Sequence, residues 1–170
     1  MPHPPPPVVV GITAGQPDAV VLAAAEVAAQ FGAELICASV DPSRYLLEEL
    51  PDGTVTSASY DPDPLEPAVL TFDPGLLAQI DRVLTGRNVV WSTRALVGDP
   101  ATALGRLAQT VRAVLIVVGS REPTVRHSLR TLFTGSVAVR LAHGQARPVV
   151  IIPLNPVPFG AELPKQNDEL

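Results

Sequence analysis

Two Gly-Ser pairs are the residues of this chain whose types and spacing best suit ligand chemistry. Gly119-Ser120 directly follows the apolar run Val114–Val118, and Gly135-Ser136 directly precedes Val137, where a helical pattern resumes. Small residues leave backbone N–H groups accessible, and such groups bind anions at helix N-termini and at the carboxyl edge of a parallel sheet. The pattern therefore indicates a site for a negatively charged group.

The same residues have structural interpretations that the sequence leaves open. Gly119 also fits the tight turn by which a chain leaves a buried strand, and Ser136 also fits a helix cap. The arginines gathered between Arg121 and Arg147 suit a solvated surface as well as an anion clamp. Asp41 could receive a ribose hydroxyl or form a turn before Pro42.

Motifs typical of catalysis are missing from the sequence. It contains no P-loop with its lysine, no nucleophile elbow and no carboxylate pair at a spacing that brackets a substrate. His127 and His143 lack cysteine or carboxylate partners at ligand spacing, so no metal site is predicted. These residues favour a binding module over an enzyme.

The elements that must position the Gly-Ser pairs follow from hydrophobic patterning. Val114–Val118 is an unbroken apolar run, as expected of a central parallel strand buried on both faces. Other strands are predicted at Val8–Ile12, Ala33–Val40, Asn88–Val97 (an edge strand, by its alternation) and Pro148–Pro153. Helices are predicted from Pro17 to Phe31, Asp73-Pro74 to Gly86, Asp99-Pro100 onward, and Ser128 or Thr134 to His143.

This alternation of strands and helices predicts an α/β fold: a three-layer α/β/α sandwich around a five-stranded parallel sheet, Rossmann-like, in one domain over residues 8–153. Residues 1–7 are predicted to be a disordered Pro-rich leader, and residues 154–170 are predicted to be a flexible tail. Residues 41–72 lose their periodicity and are predicted to be a long loop or lid, with a weak hairpin turn at Asp52-Gly53.

Composition limits the partners and the compartment. The chain has 170 residues, a net charge of −5 and a single cysteine, Cys37. The acidic balance argues against nucleic acid or an anionic membrane as the main partner, and no segment approaches the roughly 20 apolar residues of a membrane span. Cys37 lies in an apolar run and fits a core position in a reducing compartment. A cytoplasmic protein is predicted.

Five ordered segments together resemble a universal stress protein domain. They are Val8-Val-Val-Gly11, Gly98-Asp99-Pro100, Val117-Val118-Gly119-Ser120-Arg121, Gly135-Ser136-Val137 and Arg147-Pro148-Val-Val-Ile-Ile-Pro153. The resemblance implies the strand order 3-2-1-4-5 and a homodimer through strand five, Pro148 to Pro153. It also implies a crevice for ATP or another adenine nucleotide, such as AMP or cyclic AMP, in the nucleotide-binding branch of the family.

The family's ATP motif is only partly present. Gly119 and Gly135-Ser136 match, but Glu122 replaces the second glycine, twelve residues rather than nine follow it, and Thr13 replaces an aspartate. Val40 suits the adenine contact. The nucleotide-binding residues that the resemblance implies are Thr13, Ala14, Val40, Asp41, Gly119, Ser120, Arg121, Gly135, Ser136 and Val137.

The expected function is a binding or regulatory module with a degenerate adenine-nucleotide crevice at the carboxyl ends of strands one, two and four. Ligand occupancy would order residues 41–72. The alternatives are a dimeric interaction protein that takes no nucleotide and acts through an unknown protein partner, a cyclic AMP binder, and a slow ATPase.

Overall fold

The structure, a computed structural model, describes residues 5–50, 55–60, 68–120 and 137–154. In chain order the elements are β1 (Val8–Ile12), α1 (Ala19–Phe31), β2 (Leu35–Asp41), β3 (Arg44–Glu49), β4 (Val55–Ser59), β5 (Ala68–Val69), α2 (Pro74–Leu84), β6 (Trp91–Val97), α3 (Pro100–Thr110), β7 (Leu115–Gly119), α4 (Val137–Gly144) and β8 (Val149–Ile152). The predicted leader lies partly, and the predicted tail almost wholly, outside the described residues.

The main sheet has five parallel strands in the order β6-β2-β1-β7-β8. If these five strands are numbered by their order along the chain, the sheet order is 3-2-1-4-5. This confirms the fold class and the strand order predicted from the sequence. The central register places Val10 of β1 between Cys37 of β2 and Val117 of β7. All three side chains are fully buried, as the unbroken apolar runs predicted.

Helices cover both faces of the main sheet. One buried cluster joins alternate residues of the central strands to α1 and α2, and the other joins the intervening residues to α3 and α4. Cys37 belongs to the first cluster, and its burial raises the pKa of the thiol to about 12. The thiol therefore stays protonated near neutral pH, in agreement with the predicted core position.

The edge strand β6 differs in its surroundings from the central strands. Each of its residues is half-buried, and it pairs only with β2 among the described strands. The predicted edge position is thus correct. The strand begins at Trp91 rather than at Asn88; Val90 just before it is 74% exposed, although its carbonyl accepts a hydrogen bond from Leu35 N–H.

Asp73 and Asp99 cap their helices as the sequence predicted. Asp73 Oδ1 accepts from Leu76 N–H at 2.6 Å, and Asp99 Oδ1 accepts from Thr102 N–H at 3.0 Å. Asp99 also forms a two-pronged salt bridge with Arg140 of α4. Burial opposes ionisation of Asp99, but hydrogen bonds from Arg140 and Thr102 outweigh it and hold its pKa below the usual value. This pair ties α3 to α4.

The start of α1 differs from the prediction. Pro17 was expected at the first helical position, with Asp18 in the first turn, whereas the helix begins at Ala19 and Asp18 is the N-cap residue without a side-chain capping bond. The Asp18 carboxylate instead accepts hydrogen bonds from Gln79 and Arg82 of α2. A cross-helix contact has therefore replaced the local cap. The predicted helix end is correct, since Gly32 adopts a left-handed conformation.

A second, antiparallel sheet occupies much of the region predicted as a long loop or lid. Its order is β3-β4-β5, and β3 pairs with β4 as a hairpin. The turn proposed at Asp52-Gly53 lies outside the described residues. Val55 and Ser57 of β4 are buried, and Arg44 of β3 donates to both Ser57 Oγ and Ser57 O. These contacts give the segment a small packed face of its own.

Within the described part of the chain, no helix is both long and apolar enough to cross a bilayer.

Candidate functional site

The carboxyl edge of the main sheet is the place where the topology favours a ligand. From β1 the chain builds β2 and β6 on one side, and it then crosses to add β7 and β8 on the other. The switch point between β1 and β7 is where crevices open in folds of this class. The neighbouring strands β1, β2 and β7 end at Ile12, Asp41 and Gly119, so the structure brings the predicted residues Thr13, Val40-Asp41 and Gly119-Ser120 to one edge.

In the turn after β1, the side chain of Gln16 accepts a hydrogen bond from the backbone of the same turn. Gln16 N–H donates to Thr13 O at 3.2 Å, and Thr13 N–H donates to Gln16 Oε1 at 3.3 Å. Gly15 has a φ of +77°, a conformation that other residues rarely adopt. Thr13 and Ala14 are exposed at this turn. Both predicted residues are therefore accessible, but the Thr13 amide already has an acceptor.

The side chain of Gln16 covers the end of β7. The sequence did not identify Gln16 as a residue of the candidate site. A Cβ placed on Gly119 would overlap the Gln16 Nε2 atom, and it would lie only 3.1 Å from Val20 Cγ2 and 3.3 Å from Leu154 Cδ1. A side chain at position 119 would therefore require these neighbouring side chains to shift. Its position after Thr13-Ala14-Gly15, at the end of the first strand, was the available signal for Gln16.

Contacts with α2 fix the backbone that carries Gln16. Gln79 Nε2 donates to Gln16 O at 3.1 Å and to Asp18 Oδ1 at 2.7 Å. Arg82 pairs with Asp18 at 3.2 Å. The α1 end of the turn is therefore anchored through main-chain and carboxylate contacts, whereas the Gln16 carboxamide itself is held by the exposed bond to Thr13 N–H.

Ser120 links β7 to the β8 end of the chain through its backbone amide and its hydroxyl. Its N–H donates to Ile152 O at 2.7 Å, and its Oγ accepts from Leu154 N–H at 2.9 Å. A ligand phosphate could use the Ser120 amide only by breaking a short backbone bond. The Ser120 N–H is one of the amides predicted to bind a phosphate after β7. It already donates to the Ile152 carbonyl.

The end of β2 forms a turn. Asp41 Oδ1 accepts from Ser43 N–H at 2.9 Å and from Ser43 Oγ at 2.6 Å, the pattern of an Asx turn. The Asp41 carbonyl accepts from Gly98 N–H at 3.0 Å, which joins the ends of β2 and β6. Val40 is half-buried against the core cluster on the α3 side. These contacts support the turn interpretation of Asp41 that the sequence left open.

The second Gly-Ser pair lies just before Val137, where the described residues resume. Val137 is the first residue of α4 and packs against the cluster on the α3 side. Arg121, Gly135 and Ser136 lie outside the described residues, as does Glu122. In the described ranges, no group of three or more His, Cys, Asp or Glu side chains is placed to hold a metal ion.

Comparison with known proteins gives a consistent result. A family model described as the universal stress protein family matches residues 6–153. No curated protein matches the sequence.

Solved structures resemble this fold at low identity. A universal stress protein in complex with cAMP is 24% identical, aligns over 90% of this chain and 100% of its own, and has a TM-score of 0.58. A universal stress protein from Archaeoglobus fulgidus is 19% identical over 86% of this chain and 92% of its own, with a TM-score of 0.55. One from the same organism in complex with dAMP is 18% identical over 86% of this chain and 96% of its own, with a TM-score of 0.52.

Proposed function

The chain belongs to the universal stress protein family, and from that membership we propose that it is a binding or regulatory module whose carboxyl-edge crevice takes an adenine nucleotide. The observation that carries the proposal is the convergence of Thr13, Val40 and Gly119 at the switch point of the sheet. Support comes from two structurally similar family members, which were solved with cAMP and with dAMP. Both of these ligands carry adenine and a single phosphate.

In the proposed complex, the base lies near Val40 and Thr13, and the phosphate lies toward Gly119 and the start of α4. Further phosphate contacts come from Arg121, Gly135, Ser136 and Val137. The Ser120 amide, one of the donors that a triphosphate cradle at the end of β7 would use, is committed to Ile152. This favours a nucleotide with one phosphate, AMP or cyclic AMP, over ATP.

The proposed function is tested by thermal unfolding of the purified chain with cyclic AMP, AMP, ADP and ATP in turn. A ligand at 100 times its dissociation constant adds about 2.7 kcal/mol to the stability of the folded state. We expect a shift with at least one ligand and its loss in Ser136→Trp, whose bulk would fill the phosphate position. No shift with any of the four nucleotides would contradict the proposal.

Gln16 is proposed to limit the affinity of the crevice, since its carboxamide lies over Gly119 and must move for a phosphate to approach. Gln16→Ala removes that obstacle and frees the Thr13 amide. We expect about tenfold tighter binding, equivalent to about 1.4 kcal/mol, by titration calorimetry. Gln30→Ala, on the exposed face of α1, is the matched control and should bind as the unmodified protein does. Equal or weaker binding by Gln16→Ala would show that the carboxamide does not obstruct the ligand.

A homodimer through β8 is proposed as the assembled form. β8 is the other edge of the main sheet, and Ile151 on it is 50% exposed. Ile151→Asp should convert a dimer to a monomer in sedimentation velocity, because it places a charge in an apolar contact. Val90→Asp, at a site that is 74% exposed, is the control that should leave the assembly unchanged. A dimer that persists in Ile151→Asp would exclude β8 as the interface.

Regulation by ligand binding is proposed in preference to catalysis, and the cytoplasm is the proposed location. Slow ATP hydrolysis at the same crevice is the enzymatic alternative. It would be recognised by product formation over hours that disappears in Ser136→Trp. A role as a nucleotide-free interaction protein is favoured by the filled space over Gly119 and would be indicated by the absence of any nucleotide-induced shift.

A further inference from the structure

The small sheet β3-β4-β5 exposes an unusual amount of apolar surface. Six large apolar side chains are exposed on or beside it: Tyr45, Leu46, Leu47, Leu50, Tyr60 and Val69. Tyr60 and Val69 are 66% and 61% exposed. An antiparallel sheet that packs on one face normally presents polar residues on the other. Apolar groups concentrated on such a surface indicate an interaction site.

The two faces of this sheet have different environments. Val55 and Ser57 of β4 are buried, and the residues opposite them on β3 are Glu49 and Leu46. Tyr45, whose partner is Ala58, and Val69, whose partner is Thr56, belong to the outer face. Tyr45 and Tyr60 form an aromatic pair with ring centroids 5.1 Å apart. The outer face is thus largely apolar and accessible.

β3 is also an open edge. It pairs with β4 on one side, and on its other side no strand of the described chain pairs with it. Its sequence, Arg44-Tyr-Leu-Leu-Glu-Glu49, contains neither lysine nor proline, but it has three charged residues, and a β-bulge interrupts its pairing with β4 between Leu46 and Glu48. No described strand covers its outward N–H and C=O groups, which can pair with an added strand.

A groove lies between the inner face of this sheet and α3, and it is lined by Leu46 and Glu49 of β3 and by Val55 of β4. It has a volume of about 410 Å³, counting the part open to solvent. Leu46, Leu96 and Leu107 supply apolar walls, and Glu49 and Arg106 supply charges. Side chains on one face of a strand added beside β3 would point toward this groove.

The net charge of residues 41–72 favours a partner of opposite charge. Residues 41–72 hold seven acidic residues against one arginine, a net charge of −6, while the whole chain carries −5, so the remainder is near +1. The arginine, Arg44, is engaged with Ser57. Glu48 and Glu49 are exposed, and neither forms a salt bridge with another described residue. A cationic partner is therefore favoured.

We propose that β3 takes an extended segment of a partner protein, in which apolar residues alternate with lysine or arginine, as an added strand. Backbone hydrogen bonds to the edge of β3 hold the segment. Its apolar side chains point toward the groove that Leu46 and Glu49 line, and its cationic side chains lie on the opposite face, near Glu48. In-register antiparallel pairing of β3 with a second copy would set Glu49 opposite Arg44, whose guanidinium is already engaged with Ser57, so a second copy offers these glutamates no free cation.

The test uses the full chain and a fluorescein-labelled nine-residue peptide of alternating valine and lysine, followed by fluorescence anisotropy. We expect this peptide to bind at least tenfold tighter than the valine–glutamate counterpart. N-methylation of alternate backbone amides on the pairing edge should weaken binding at least tenfold, since each methyl removes a donor.

Glu48→Gln/Glu49→Gln should weaken binding about tenfold. The matched variant Glu26→Gln/Asp81→Asn changes the net charge equally on α1 and α2 and should have little effect.

Three outcomes would overturn the proposal. Failure of the valine–lysine peptide to bind excludes the partner chemistry. Equal binding of the N-methylated peptide reduces the interaction to charge attraction without an added strand. Slow amide hydrogen exchange along the outer edge of β3 in the free protein would mean that this chain or a second copy already covers the edge. None of these readouts involves a nucleotide, so the result is independent of the function proposed above.

Discussion

Replacement of Ile80 by alanine is expected to lower the free energy of unfolding by about 2–5 kcal/mol. Ile80 is fully buried on α2 and belongs to the core cluster that joins α1 and α2 to the central strands. Its truncation leaves a cavity where α2 meets that cluster. Because small domains are stable by only about 5–15 kcal/mol, this one change removes a large fraction of the total.

The control for Ile80 lies on the same helix. Leu77 is 40% exposed, so Leu77→Ala removes fewer buried contacts and should cost clearly less, while both variants gain the same helix-favouring alanine. Urea denaturation followed by circular dichroism measures both. Equal losses for the two variants would mean that α2 does not pack on the sheet through Ile80.

Replacement of Gly119 by valine is expected to destabilise the fold by about 1–3 kcal/mol through overpacking. The new side chain would meet Val20 and Leu154 at close range and would displace Gln16 from the strand end. Thr13 N–H would then lose its acceptor, and its amide hydrogen should exchange faster. Urea denaturation and hydrogen exchange give the two readouts.

Gly144 supplies the matched control for Gly119. A Cβ at Gly144, the last residue of α4, would meet nothing within 4 Å, so Gly144→Val should change the stability by less than about 0.5 kcal/mol. If Gly119→Val were equally well tolerated, the close contact between Gln16 and the end of β7 would be wrong.

The main sheet could be predicted from the sequence because its signals are local and agree with one another. The runs Val8–Val10 and Leu115–Val118 are apolar throughout, since helices cover both faces of these strands. Asp73 and Asp99, each followed by proline, mark the starts of α2 and α3 for reasons contained within one helical turn. The alternation of elements then indicated parallel pairing, and the strand order followed from the resemblance to a family.

The features that the sequence did not predict depend on contacts between distant residues. Asp18 binds Gln79 and Arg82 of α2, more than 60 positions later, so its local pattern suggested a first-turn acid instead. The short strands β3 to β5 are separated by proline and acidic residues that obscured their alternation. The location of Gln16 over Gly119 depends on the pairing of β1 with β7 and could not be predicted from either segment alone.

The central claim is that the carboxyl edge of β1, β2 and β7 receives an adenine nucleotide. The most direct measurement is a titration of the ¹⁵N-labelled protein with cyclic AMP or AMP, followed by amide chemical shifts. We predict saturable shifts confined to residues around Thr13, Val40 and Gly119, together with the side-chain amide of Gln16. Shifts elsewhere, such as along β3 and α3, or no shifts at millimolar ligand, would contradict the claim.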